Sequence, residues 1–190
     1  MNKPILIAGA VLASLAAGAQ AYAAPANAVG TVNVTGSVQA QCSSTSFSDT
    51  IALGELSNAS TGALDTSLPN NTGLTKDFKV VCSSVTPTVV VSATRLQNGT
   101  AGASAGYTDV VDYTATATAD LSAGGSTPVA YTTAASPPAP TSQALSDRLA
   151  NPATAANLHV TLSNAHTVDP TAILTAGSYS GTITVTVQPT

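Results

Sequence analysis

The chain has 190 residues, 44% hydrophobic and 7% charged, with a formal net charge of −4. That length suits one domain behind a leader, and a composition rich in Val, Ala and Thr argues against a charge-driven disordered chain. Beyond Lys3 the only cations are Lys76, Lys79, Arg95 and Arg148, too few and too scattered to neutralise a phosphate backbone, so nucleic acid is excluded as a partner.

Residues 1–23 read as a secretory signal peptide. Lys3 supplies the positive start, Ile5 to Ala17 is apolar, and Ala19-Gln20-Ala21 and Ala21-Tyr22-Ala23 offer small-residue cleavage patterns. No later stretch reaches the roughly 20 apolar residues of a membrane span. The mature chain is therefore expected outside the cytoplasm. In that compartment Cys42 and Cys82 are expected to form a disulfide, because neither a CxxC spacing nor a nearby His supports a metal site or a reactive thiol.

The first element of the mature chain is a run of period two. Ala28, Gly30, Val32, Val34, Gly36, Val38, Ala40 and Cys42 are apolar or small, whereas Thr31, Asn33, Thr35, Ser37, Gln39 and Gln41 are polar. That alternation predicts a strand with one dry face. Strands usually run about 3–10 residues, so a pattern this long predicts a division at Gly36: residues 24–36 project as an extension, and a domain of residues 37–190 follows.

Ile51 to Leu56 is a short strand candidate, with Ile51 and Leu53 on one face, and Ser57 to Thr75 is a loop dense in Asn, Ser, Gly and Pro. Phe78, Val80 and Cys82 share a face. Thr88 to Leu96 is a β-branched run that ends at the turn signal Asn98-Gly99. Tyr107 to Ala119 alternates, Gly124-Gly125 turns, and Val129 to Thr133 returns. The prolines of 136–140 predict a loop or edge. Leu145 and Leu149 suggest one or two helical turns. Leu158, Val160 and Leu162 share a face, Asp169-Pro170 turns, and Tyr179, Gly181, Ile183, Val185 and Val187 alternate with Ser and Thr to the end. About six to seven short strands with regular turns and a disulfide predict an all-β, immunoglobulin-like sandwich.

Catalysis finds little support. Gly102 to Gly106 matches G-x-S-x-G around Ser104, but that motif needs a strand-to-helix turn and a triad, and here it lies in a Gly/Ala-rich loop. His159 and His166 have no cluster of carboxylates near them in sequence, so no metal site and no cofactor is expected. The two alternating ends stand out instead. The strand ending at Val187 presents a regular edge with three residues beyond it, too few to cover it. An uncovered edge is an aggregation hazard, and a neighbour's projecting segment would occupy it by strand addition.

The run Gly30 to Cys42 (GTVNVTGSVQAQC) resembles the N-terminal extension and first strand of chaperone–usher pilins, and Cys82 falls where they place the second cysteine. The ending Ala176 to Val187 (AGSYSGTITVTV) resembles the last strand of the archaic, spore-coat-U-like members. Val34 stands where the family usually carries an aromatic, and Gln188-Pro189-Thr190 lacks a penultimate Tyr. The resemblance implies an incomplete sandwich: a periplasmic chaperone lends the missing strand, and at an outer-membrane usher the next copy's extension replaces it. Ala28, Gly30, Val32, Val34 and Gly36 would be donor residues, and Val38, Tyr179, Ile183, Val185 and Val187 would flank the acceptor groove. Its function would be a structural pilus subunit at the cell surface, supporting adhesion or biofilm formation. Two other readings stand beside it. One is a self-complete secreted sandwich, an adhesin or ligand-binding module; the other is an exported hydrolase resting on Ser104 alone.

Overall fold

The computed structural model describes residues 31–44, 47–68, 74–99, 102, 104–134 and 139–190. The leader 1–23 and the donor positions Ala28 and Gly30 lie outside the described residues. The chain divides after Gly36 into two compact units, and the fold below is that of Ser37–Thr190.

Apart from 3-10 turns at Leu68 and Leu74, the regular structure among the described residues is β, as the alternation predicts. In chain order the strands are β1 (Cys42–Ser44), β2 (Thr75–Phe78), β3 (Val80–Cys82), β4 (Thr88–Ala93), β5 (Leu96–Asn98), β6 (Tyr107–Thr108), β7 (Val110–Asp120), β8 (Ser126–Thr132), β9 (Thr141–Ala144), β10 (Leu158–His166), β11 (Ile173–Leu174), β12 (Tyr179–Ser180) and β13 (Ile183–Gln188). One sheet is built on β7, with β10 and then β2 on one side, and β8 and β5 on the other; β12 pairs beyond β5. The facing sheet runs β9-β4-β13, and β1 pairs with β3 apart from it.

The period-two pattern of β7 explains its central place. Tyr113, Ala115, Ala117 and Ala119 are buried, while Thr114, Thr116 and Thr118 face outward. Against that face pack Leu158, Val160 and Leu162 of β10, Val89 and Val91 of β4, and Val129 and Tyr131 of β8. Each such Val or Leu side chain contributes about 1.5–3 kcal/mol on burial. The β7–β8 hairpin turns at Gly124 and Gly125, whose φ of 93° and 80° a side chain would resist. One flank of the sandwich is closed where β8 runs beside β4 and β9.

The structure revises several expectations. Residues 31–41 form no strand; regular pairing starts at Cys42, because only there does a partner strand, β3, run alongside. Residues 51–56 are likewise in no strand, although Ile51 and Leu53 are half-buried between exposed neighbours. Thr88 to Leu96 is two strands, since the chain leaves β4 at Thr94 to join the other sheet as β5. Asn98-Gly99 is no two-residue turn: Asn98 is buried within β5, and β6 comes between β5 and its partner β7. Where Leu145 and Leu149 suggested helical turns, β9 is followed by an irregular segment, tied to β7's end by a bridge between Leu121 and Leu149. The final run breaks at Gly181-Thr182 into β12 and β13. These switches between sheets divide runs that the alternation reads as single strands, and the described residues hold thirteen short strands where six or seven were expected.

Candidate functional site

The flank opposite β8 and β9 is open. Strand β13 pairs with β4 along Ile183–Gln188, and among the described residues its other edge carries no ladder. Facing that edge is an antiparallel wall made of β1 and the strandless residues 47–57. Between the two lie three adjoining cavities of about 190, 580 and 740 Å³. The smallest has Cys42–Ser44 on one side and Val185–Val187 on the other, and it shares Phe47 and Val185 with the second. The second shares Thr50, Ile51, Leu53, Leu96 and Gly181 with the third, which ends against Leu174 and Tyr179. The three form one continuous groove.

Its floor is the core itself. Val80, Leu96, Tyr113, Val160 and Leu162, each under a tenth exposed, line the first two cavities. Tyr113 donates its hydroxyl to Thr94 O at 2.8 Å, and burial, aided by Tyr131, pushes its pKa up to about 12, so the floor carries no charge near neutral pH. Charges stay at the rim. Asp49 meets Lys76 at 3.3 Å, and its carboxyl is held below the usual range by the Thr50 N–H and by Lys76. Glu55 is held low by the hydroxyl and N–H of Ser57. A neutral, apolar floor with exposed backbone edges suits an extended uncharged segment whose side chains alternate.

The wall has distinct anchors. Phe47 packs edge-to-face on Phe78, with ring centroids 4.9 Å apart. Cys42 and Cys82 lie directly opposite in the β1–β3 register, and they are joined as a disulfide across a Cα separation of 4.1 Å. Strand β3 is fixed by Asn157, fully buried, whose side-chain amide acts as a strand: Val80 N–H donates to Oδ1 at 2.8 Å, while Nδ2 donates to Val80 O at 2.8 Å and to Ala150 O at 2.7 Å. The end of β13 is fastened too, since the Thr190 amide and hydroxyl engage Ser84 and Thr86.

Of the residues singled out from sequence, Tyr179, Ile183, Val185 and Val187 line the groove. The Tyr179 hydroxyl donates to Thr175 O at 2.9 Å and Thr108 O at 3.2 Å, and burial raises its pKa. Val38 lines none of these cavities: it is 85% exposed and precedes the first paired residue, so its alternation with Cys42 places it in no wall. Gln39 and Gln41 are held by Ser83, whose hydroxyl donates to Gln39 O at 3.0 Å and accepts from the Gln41 amide at 2.9 Å. Val32 and Val34 are 86% and 90% exposed, and Gly36 has open space where a Cβ would sit. Ser104 lies in the turn before β6, its carbonyl accepting from Tyr107 N–H, not at a strand-to-helix turn.

His166 follows a bulge at Asn164, whose carbonyl its ring meets at 2.8 Å. His159 is not the isolated residue that its sequence neighbours suggest. Its Nδ1 lies 2.6 Å from Asp77 and its Nε2 3.1 Å from Asp120, partners on the two strands flanking β10. Sequence reasoning also passed over Phe47 and the groove floor, Leu96, Tyr113, Val160 and Leu162. Their apolar alternation marks them as core, and nothing local says which part of a core borders a groove. Compared with known proteins, the chain matches no family model, no curated protein and no solved structure.

Proposed function

We propose that this chain is an exported structural subunit of a surface filament, in which the groove beside β13 of one copy is filled by the segment Ala28–Gly36 of the next. The observation that carries the reading is the continuous cavity between β13 and the wall of β1 and residues 47–57, floored by core side chains. In a sandwich completed by its own strands, a strand would fill the space between β13 and that wall.

Three further features support it. The alternating run Ala28–Gly36 has the same length as Tyr179–Val187, the stretch it would lie beside, about 30 Å at 3.3–3.4 Å per residue. It carries no charge, as a neutral floor requires. Val32 and Val34 are exposed, so burying them in a neighbour is favourable by about 1.5–3 kcal/mol each. Added ladder hydrogen bonds along β13 would satisfy an edge that otherwise invites indiscriminate pairing. An unfinished sandwich also needs a temporary strand before assembly; a periplasmic chaperone and an outer-membrane usher fit that need, as the resemblance to chaperone–usher pilins implies.

The test is electrophoresis of surface material without boiling. Strand-exchanged polymers run as a ladder, and deletion of residues 24–35 collapses the ladder to a disulfide-bonded monomer. A ladder that survives the deletion refutes the assignment.

A further inference from the structure

The Asp77–His159–Asp120 cluster lies on the outer face of the β7 sheet, away from the groove lining. Asp77 is directly opposite His159 in the β2–β10 register, and Asp120 ends β7 on the other side. The uncharged Thr118 is the residue of β7 directly opposite His159. Among the described residues, the charges that bear on the ring are those of Asp77 and Asp120. Ionised carboxylates only accept hydrogen bonds, and a neutral imidazole has a single N–H to donate, so both contacts are made together only by the imidazolium.

We infer that this cluster is a proton-operated clamp that fixes the edge strand β2 onto β10 and β7, and through β2 steadies the acceptor groove. The coupling is geometric. Asp77 points outward between Lys76 and Phe78, which line the 580 Å³ cavity, and Phe78 also anchors Phe47 of the wall. Strand β2 has only four residues and, among the described residues, pairs with β10 alone, so a side-chain tie is a sizeable part of its attachment. The hydrogen bond to Asp77, outweighing the opposing effect of burial and helped by Asp120, raises the His159 pKa above its usual value. The raised value sets the sign: the clamp is complete below about pH 6.5 and is lost as pH rises through the folded-state pKa. The link to the groove rests on the function proposed above; the clamp does not.

The experiment is amide hydrogen exchange at Thr75–Phe78, corrected for intrinsic rates, at pH 5.5 and pH 9 in the native protein and in His159→Gln. Protection of β2 is expected to be about two- to fivefold higher at pH 5.5 in the native protein, the range of one exposed ion pair, and equal at the two pH values in the variant. Equal protection in the native protein, or the same pH difference in the variant, overturns the clamp. A synthetic peptide of residues 24–36 then reads the groove, and should bind more tightly at pH 5.5 by a similar factor. Binding that is equal at both pH values while β2 protection still titrates overturns the link to the groove. A peptide that binds at neither pH overturns the groove reading, with the clamp decided by exchange alone.

Discussion

Replacing Asn157 by Ala tests how the groove wall is held. The Asn157 side chain satisfies the N–H and C=O of Val80, itself 3% exposed, and also reaches Ala150 O. Alanine removes all three hydrogen bonds and supplies no polar atom in their place, so two backbone groups of β3 lose their partners in the core. At about 1–3 kcal/mol for each unsatisfied buried polar group, the two together put the variant about 2–6 kcal/mol below the native protein. Against a total stability of about 5–15 kcal/mol this is severe. The assay is urea denaturation of the oxidised protein, with a drop in melting temperature of about 10 °C as a second readout. Because β3 is the only ladder partner of β1 among the described residues, binding of the 24–36 peptide should weaken as well. A loss below about 1 kcal/mol would refute the account, since it would mean that Val80 finds other partners without Asn157.

Other perturbations probe separate parts of the same flank. Gly181→Ala would set a Cβ 2.8 Å from Thr94 O and 3.0 Å from Arg95 O, backbone atoms that cannot swing away, so denaturation should show a loss of about 1–3 kcal/mol. Unchanged stability would mean that the crossing at Gly181 relaxes freely. Replacing Cys42 and Cys82 by Ser opens a link spanning a sequence separation of 40 and should lower stability by about 4 kcal/mol in the chain-entropy model, measurable by calorimetry. Val34→Asp, in the proposed donor segment, buries a charge on docking and should abolish the unboiled ladder while leaving the monomer's melting temperature unchanged. Normal filament yield would count against the donor role.

The all-β class, the disulfide and the inward side chains of the last strand were legible because each depends on short-range pattern. Thr184 and Thr186 alternate with Ile183, Val185 and Val187 whatever the rest of the chain does. The Gly124-Gly125 turn was legible for the same reason. Places where a strand changes sheet were not, because Thr94-Arg95 and Gly181-Thr182 are shaped by each other across the fold: Thr94 N–H donates to Thr182 O at 2.9 Å, and Thr182 N–H to the Thr94 hydroxyl at 2.8 Å. The ring of His159 finds Asp77, 82 positions away, and Asp120, 39 away, a meeting no local window contains. The alternation at residues 28–42 carried the dry face of a strand but not whether a partner was present, which is why Val38 was assigned to a wall it does not join.

The cross-link between β1 and β3 has a mechanical side. A pull on the chain preceding Cys42 meets the hydrogen bonds of Gln39 and Gln41 to Ser83 and then a residue bonded covalently to Cys82, so the load passes to β3 before the ladder from Cys42 to Ser44 can be peeled. Without the sulfur bridge, β1 would unzip one pair at a time under low force, and the groove would lose its rim. With it, the yielding point moves into the sandwich, where many bonds must break together.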